Sequence, residues 1–193
     1  MRRTKVVHLP CCDETMPLPF YTIGHSTRSL EEFVGILTAT DVTNLVDVRT
    51  VPQSRANPQF NQAVLPEALA AFGISYMHSA DLGGLRGKNK KIPQDLNGFW
   101  TNDSFHNYAD YALTLPFHEA LTKLIEVGHL RVSAIMCAEA VWWRCHRRII
   151  ADYLIAQDKI VFHLMGEGRA ETAKLTPGAI IRPDKTVIYP RND

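Results

Sequence analysis

The chain has 193 residues, of which 46% are hydrophobic and 21% are charged, and its formal net charge is only +1. This length and composition are typical of one globular domain with a substantial core. A net charge so close to zero excludes attraction to DNA or to an acidic membrane through a global field, so any binding of anions must be local.

The apolar runs are too short for a membrane helix, and His8, Pro10 and Asp13 interrupt the segment where an export signal would lie. We therefore expect a cytoplasmic protein with no membrane partner, whose four cysteines are reduced thiols. Residues 1–19 contain three prolines and no periodic pattern. We expect them to be a flexible lead-in to a single domain over residues 20–193.

The first half of that domain alternates between strand-like and helix-like segments. Residues 20–23 form a short β-type run that Gly24 ends. Ser29 and Glu32 form a capping-box pattern, which predicts a helix over residues 29–39. The next predicted elements are a buried strand at 44–48, a helix from Pro66 to about Gly73, and a strand at 74–77.

The second half follows a long segment with no regular pattern, residues 78–102, whose length indicates a functional or mobile loop. The elements predicted after it are a helix from Pro116 to Gly128, a strand at 131–136, a helix from about Cys145 to Ala156, a strand at 159–164, and a strand-like end at 186–189. This alternation predicts an α/β domain with a mainly parallel sheet and helices on both faces, a Rossmann-like three-layer arrangement.

Reactive and polar residues follow several of the predicted strands at the point where each strand ends. Ligands bind beyond the carboxyl ends of the strands in open parallel sheets, so we expect these residues to share one edge. In chain order they are His25 and Ser26, Arg49, Gly83 and Gly84, Cys137 and Glu139, and Cys145, His146 and Arg147.

The residue types at this edge suit chemistry on an anion. Arg49 and Arg147 carry fork-shaped donors for phosphate or carboxylate, and the first turn of the helix near residue 145 attracts anions. The same positive surroundings favour a thiolate, so Cys137 is the expected nucleophile. Glu139 would move protons or orient a ligand, and His25 would shuttle protons. The remaining residues of the edge are expected to bind the ligand: Ser26, Gly83, Gly84, Cys145 and His146.

Two other functions, metal binding and nucleic-acid binding, remain possible from the sequence. Cys137, Cys145, His146 and His25 include the ligand types that zinc prefers. However, the Cys-x7-Cys spacing followed directly by His lacks the usual paired Cys-x2-Cys signature. We therefore assign no metal ligand from the sequence, and the cofactor is left open.

The second of these functions is the binding of nucleic acid. Basic side chains together with exposed aromatic rings hold a strand through phosphate contacts and base stacking. The chain has a basic cluster in the long loop and a pair of tryptophans beside an arginine, namely Arg86, Lys88, Lys90 and Lys91, and Trp142, Trp143 and Arg144. Alternatively, the tryptophans pack against the core and the lysines only solubilise the loop.

Five short motifs occur in order along the chain: residues 21–26, 46–49, 82–84, 136–139 and 145–148. Together they resemble domain-of-unknown-function family 488, the YeaO-like group. The resemblance implies an α/β domain and names no reaction, although some members carry a DNA-repair label. A remoter similarity to rhodanese-like domains rests on Asp47 and Arg49 in a strand before Cys137. It implies sulfur transfer, but the compact cysteine loop of those domains is replaced here.

The sequence therefore predicts an enzyme that acts on a phosphate-bearing or nucleotide-type substrate, possibly within nucleic acid. A non-catalytic module that binds nucleotides or nucleic acid at the same edge is the alternative. A rhodanese-like sulfurtransferase or a metal-binding protein is the second alternative, and no oligomeric state is predicted.

Overall fold

A six-stranded sheet forms the centre of the computed structural model, which describes residues 17–191. Its order is β3-β2-β4-β1-β5-β6, and only β6 runs antiparallel to its neighbour. The strands are β1 (Phe20–Gly24), β2 (Asn44–Asp47), β3 (Ser75–His78), β4 (Ser133–Cys137), β5 (Val161–Gly166) and β6 (Arg169–Thr172), and a separate two-stranded pair is formed by β7 (Ile180–Ile181) and β8 (Val187–Ile188). The predicted lead-in lies outside the described residues except for 17–19.

Helices cover both faces of this sheet, as the alternation predicts. They are α1 (Leu30–Thr38), α2 (Leu65–Ala70), α3 (Asp103–Ala112), α4 (Leu115–Leu130) and α5 (Arg147–Ala156). Helices α1 and α2 bury Phe33 and Leu69 in one core with Met136 of β4. Helices α3, α4 and α5 share the opposite core with Val46 and Ile135. In the described part of the chain, no helix has the length and apolar character of a membrane span.

The connections reverse direction at the centre of the sheet. From β1 the chain moves outward to β2 and then to β3, whereas from β4 it moves the other way to β5. Strands β1 and β4 are neighbours, so the reversal point lies between them. A crevice forms at the carboxyl ends of the strands at such a point, where the helices diverge to opposite faces. Gly24, at the end of β1, pairs with Cys137, at the end of β4.

Helix α3 and strands β6 and β7 are absent from the elements that the sequence predicts. Helix α3 is missing although Phe105, Tyr108, Ala109 and Ala112 recur at helical spacing. It begins at Asn102, whose side chain accepts hydrogen bonds from the amides of Ser104 and Phe105. Strand β6 has only exposed residues, which gives no alternation to detect. Gly168, with φ of +65°, makes the tight turn that brings β6 back along β5.

Asp152 of α5 binds the C-terminal segment to the rest of the domain through hydrogen bonds. Its buried carboxylate accepts hydrogen bonds from the Thr176 amide at 2.9 Å and from the Tyr189 hydroxyl at 2.9 Å. The backbone amide of Tyr189 donates to the side chain of Asn97 at 3.2 Å. Burial raises the pKa of Asp152 to about 6, and the hydrogen bonds oppose this rise only in part.

We predict that Asp152→Asn removes a pH dependence of stability. The folded protein holds a proton on Asp152 that the unfolded chain releases, so this group stabilises the fold below its ordinary pKa of 3.8 and loses that contribution as the pH rises through about 6. The free energy of unfolding of the variant should therefore rise relative to the wild type by roughly 2 kcal/mol between pH 4 and pH 8. Urea unfolding at several pH values measures this difference. Asp158→Asn, which removes an exposed carboxylate, is the control and should follow the wild type.

Candidate functional site

A cavity of about 460 Å³ opens at the carboxyl edge of the sheet, within the size range of small-molecule sites. Its walls come from the segments that follow β1, β2, β3 and β4 and from the start of α3 and the turn before α5. The lining residues are His25, Arg49, Thr50, Val51, Gln53, Ser54, Gly84, Leu85, Ser104, Phe105, Cys137, Ala138, Glu139, Arg144, Cys145 and His146.

Two thiols and one imidazole meet in the wall of this cavity. The Nδ1 atom of His146 lies 4.0 Å from the sulfur of Cys137 and 3.7 Å from the sulfur of Cys145. The three potential ligand atoms all lie within 4.8 Å of one another. We call Cys137, Cys145 and His146 the thiol–imidazole cluster.

The hydrogen bond on the far side of the ring orients His146. Its Nε2 atom lies 3.2 Å from the carbonyl oxygen of Val48. A carbonyl oxygen only accepts, so Nε2 carries the proton and the lone pair of Nδ1 faces the thiols. The edge of the ring also packs on Tyr108, at 4.9 Å between centroids. Gly84 leaves room for the ring, because a Cβ atom there would lie 2.5 Å from Nδ1.

Arg147 supplies a buried positive charge to the cluster. It is 1% exposed, and its guanidinium donates to the Cys145 sulfur at 3.3 Å and to the backbone oxygen of Glu139 at 2.6 Å. Among residues 17–191 it forms no ion pair with a carboxylate. A buried cation needs a compensating charge, and a thiolate at Cys145 is placed to provide it.

The pKa values of the two thiols move in opposite directions. Burial raises the pKa of Cys145, but the hydrogen bond from Cys137 and the charge of Arg147 outweigh burial and hold it well below its ordinary value. The hydrogen bond to Cys145 and burial together raise the pKa of Cys137 well above its ordinary value. The sequence predicts the thiolate at Cys137, whereas these contacts favour it at Cys145.

His25 lies on another wall of the cavity, beside Arg49. Its Nδ1 atom donates to the Ser26 carbonyl oxygen at 2.9 Å, and its Nε2 atom accepts from Arg49 at 3.3 Å, so both nitrogens are engaged. The ring stacks on Phe60. Burial, with the charge of Arg49, lowers the pKa of His25 and keeps the ring neutral. No hydrogen bond joins His25 to either thiol within the described residues.

Arg49 is held in a buried ion pair. Its guanidinium contacts the Asp47 carboxylate, with the closest approach at 2.5 Å, and the Tyr76 hydroxyl donates to the same carboxylate at 2.8 Å. A further hydrogen bond runs to the carbonyl oxygen of Phe60 at 2.6 Å. The charge of Arg49 is thus compensated, although the side chain reaches the cavity.

Of the other predicted site residues, some line the cavity and some only support the loops around it. Glu139 and Gly84 line the cavity, whereas Ser26 and Gly83 do not. The Ser26 amide donates to the Ala138 carbonyl oxygen at 3.0 Å, which extends the pairing of the loops beyond β1 and β4. Gly83 packs against Thr50, where a Cβ atom would not fit.

Some cavity residues carry no signal in the strand pattern. Ser104 and Phe105 belong to α3, and the Asn102-Asp103-Ser104 capping pattern was the signal that could have located them. Arg144, which the sequence connected only with nucleic acid, is an exposed lining residue in the turn before α5. Thr50 lies shortly after β2, and Leu85 directly follows Gly83 and Gly84. Neither residue belongs to a recognisable motif.

The two candidate nucleic-acid elements are partly engaged within the protein. Arg86 donates to the carbonyl oxygens of Gly83 and Ala80, whereas Lys88, Lys90 and Lys91 are exposed. Trp142 stacks on a histidine of β5 and donates to Glu171, whereas Trp143 remains 45% exposed beside Arg144. Three lysines and one tryptophan are therefore available to a partner.

A comparison with protein families found one match. The family model described as "Domain of unknown function DUF488" matches residues 29–154. This range contains Arg49 and the thiol–imidazole cluster, whereas His25 and Ser26 precede it. Comparisons with curated proteins and with solved structures gave no match. The predicted resemblance to family 488 is confirmed, and the similarity to rhodanese-like domains is not shown.

We predict that Gly84→Ala displaces the His146 ring. The added Cβ atom would lie 2.5 Å from Nδ1, and the bond to Val48 leaves the ring little freedom to retreat. The free energy of unfolding should fall by about 1–3 kcal/mol, and the NMR signals of the imidazole nitrogens should shift. Gly87→Ala is the matched control, because nothing lies within 4 Å of its Cβ position. Unchanged imidazole signals in Gly84→Ala would contradict the packing described here.

Proposed function

The chain belongs to the family described as domain of unknown function DUF488, and we propose that it is an enzyme acting on a phosphate-bearing or nucleotide-type substrate in the cavity. The observation that carries this proposal is the thiol–imidazole cluster in the wall of a cavity that Arg144 also lines. A nucleophile, a proton acceptor and an anion-binding group on one cavity are the parts that group transfer or hydrolysis requires.

Arg144 is the residue best placed to bind the phosphate. It is exposed at the cavity, and it forms no ion pair with a carboxylate among residues 17–191. The sequence assigned the anion to Arg49 and Arg147, but Asp47 compensates the first and the Cys145 sulfur accepts from the second. In our proposal these two arginines position the site, and Arg144 meets the substrate.

Apolar groups on the cavity suit the remainder of a nucleotide. Phe105 offers an aromatic ring, and Val51 and Leu85 are 59% and 76% exposed although both are apolar. A nucleobase stacks on aromatic and apolar side chains without requiring a specific hydrogen bond. An apolar wall next to a guanidinium therefore favours a nucleoside phosphate over inorganic phosphate alone.

The thiol–imidazole cluster is the proposed reacting centre. Nδ1 of His146 faces both sulfurs and can accept a proton from either of them. Glu139 lines the same cavity and is the proposed group for a second proton transfer. His25, with both ring nitrogens engaged, supports Arg49 in this proposal rather than shuttling protons. A cytoplasmic location, where thiols stay reduced, remains a prediction.

The test of phosphate binding is calorimetric titration with AMP, GMP, CMP and UMP, and with the matching nucleosides. We expect at least one monophosphate to bind more tightly than its nucleoside. Arg144→Gln should weaken that monophosphate about 10- to 100-fold, because a charge-assisted hydrogen bond is lost. Arg131→Gln, at the opposite edge of the sheet beside Ser75, is the control. Equal weakening in both variants, or no binding of any monophosphate at millimolar concentration, would contradict the proposal.

Turnover requires a separate measurement. We expect slow hydrolysis of p-nitrophenyl phosphate or of its bis-ester, and Cys145→Ser should reduce the rate about 100-fold or more. Turnover of Cys145→Ser at the wild-type rate would remove the cluster from the reaction.

The alternative function is a nucleic-acid-binding module without turnover. The exposed Lys88, Lys90 and Lys91 follow Leu85 of the cavity, and Trp143 stands exposed next to Arg144. These groups would hold a single strand through phosphate contacts and stacking, with one nucleotide in the cavity. Tight binding of an oligonucleotide with no hydrolysis of any phosphate ester would favour this module over the enzyme.

For this alternative we predict a salt effect that depends on the loop. The affinity for a fluorescent single-stranded oligonucleotide should fall with salt, and Lys90→Gln/Lys91→Gln should reduce the slope of log K against log [salt] by about 1.4. Anisotropy titrations at several salt concentrations measure the slope. The control is Lys123→Gln/Lys174→Gln, which removes two exposed lysines elsewhere. Equal slopes in the two double variants would exclude the loop as the binding surface.

A further inference from the structure

We propose that the thiol–imidazole cluster binds one divalent metal ion of the zinc type, with Cys137, Cys145 and His146 as ligands. The proposal deepens the proposed function by naming a cofactor for the same site. With the metal bound, the two sulfurs and Nδ1 of His146 would be ligands, and a metal-bound water would replace the thiolate as the nucleophile. The evidence for metal binding comes from the geometry of the cluster alone. A role of the metal in turnover also requires that the proposed function is correct.

The distances within the cluster fit a tetrahedral centre. Zinc–sulfur bonds of about 2.3 Å and zinc–nitrogen bonds of about 2.0–2.1 Å at tetrahedral angles put sulfur and nitrogen about 3.6 Å apart and two sulfurs about 3.8 Å apart. The Nδ1 atom of His146 lies 3.7 Å and 4.0 Å from the two sulfurs. All three atoms lie within 4.8 Å of one another. Movements of a few tenths of an ångström, and at most about 1 Å between the sulfurs, bring all three to bonding distance.

The surroundings of His146 are those of a metal ligand. A ligating histidine usually donates its second ring N–H to a carbonyl or carboxylate, which fixes the ring and exposes the other lone pair to the metal. His146 meets this condition through the carbonyl oxygen of Val48, at 3.2 Å. A Cβ atom at residue 84 would occupy space beside Nδ1, and the glycine there leaves it free.

The charges also suit a metal. Two thiolate ligands balance the charge of a divalent cation, and the Arg147 guanidinium donates to the Cys145 sulfur at 3.3 Å. Such a hydrogen bond stabilises a thiolate ligand in the buried site. Thiolate and imidazole together select zinc over magnesium or calcium, which prefer oxygen ligands.

Three protein ligands leave one tetrahedral position for a water molecule or a substrate, as in catalytic rather than structural zinc sites. All three ligands line the cavity, and so does Glu139, a carboxylate that can accept a proton from a bound water. In this position the metal would polarise a phosphoryl oxygen or activate the water for attack. The sequence showed no standard zinc-binding spacing, because one ligand lies at the end of β4 and the other two lie just before α5.

The experiment uses the full 193-residue chain, stripped of metal by a chelator under reducing conditions and then titrated with Zn²⁺ against a chromophoric competitor. We expect one Zn²⁺ per chain. Cys137→Ser, Cys145→Ser and His146→Gln should each weaken binding by more than about 100-fold, beyond the effect typical of outer-shell changes. The control Cys11→Ser/Cys12→Ser removes the other two thiols and should bind like the wild type.

A second measurement does not depend on the folding of variants. X-ray absorption of the zinc-loaded wild type should show two sulfur neighbours and at least one imidazole nitrogen, and Co²⁺ should give the visible spectrum of a tetrahedral thiolate complex. No stoichiometric binding at micromolar Zn²⁺, or unchanged binding in Cys137→Ser, would overturn the proposal.

The two proposals fail separately. If a nucleoside monophosphate binds through Arg144 and the wild type holds no metal, the metal is excluded and the phosphate site stands. If zinc binds with two sulfurs but no monophosphate binds and no ester is hydrolysed, the metal site stands and the proposed substrate class is wrong.

Discussion

The parallel pairing of β1 with β4 is the constraint on which the rest of the site depends. The pairing continues past the ends of both strands, because the His25 amide donates to the carbonyl oxygen of Cys137 at 2.9 Å and the Ser26 amide donates to that of Ala138 at 3.0 Å. The loop after β4 can cross so closely only because residue 24 is a glycine, whose missing Cβ atom would meet the Glu139 carbonyl oxygen. The reversal of the chain connections falls between the same two strands, so the crevice opens next to these hydrogen-bonded loops.

Two buried arginines give this edge its electrostatic character, and each has a different partner. Arg49 is compensated by Asp47, whose carboxylate also accepts from Tyr76, so this group forms a rigid polar support under one wall. Arg147 has the Cys145 sulfur instead of a carboxylate. Because a buried guanidinium stays charged, it favours an anionic sulfur, whether that sulfur is a free thiolate or the ligand of a metal ion. The same contact therefore underlies both proposals for the cluster.

The cavity has two kinds of wall, and they come from different parts of the fold. The reactive wall consists of residues at the end of β4 and the start of α5, which the sheet places near its centre. A second group of lining residues comes from the segment after β2, the glycine-rich loop and α3, and it contributes apolar groups such as Val51, Leu85 and Phe105. A cavity lined by both reactive and apolar groups is compatible with the nucleotide-type substrate that we propose. The family match spans both walls but names no ligand.

The order and periodicity of the residues were enough to predict the layered α/β architecture and the convergence of residues from separate strands at one edge, and the short motifs were enough to predict the family. The periodicity of core residues and the positions where strands end can be read locally from the sequence. In a parallel sheet the carboxyl ends of the strands lie at one edge, so residues that follow different strands come together there. The folded arrangement selects which side chains meet at that edge. It pairs the thiols with His146 rather than His25, because Nε2 of His146 bonds to Val48, 98 positions away in the chain. It adds the start of α3, which is absent from the predicted elements, to the cavity wall. It also distinguishes Arg144 from Arg49 and Arg147, whose charges have partners within the protein. Such choices depend on distances between remote segments, and no local pattern encodes those distances.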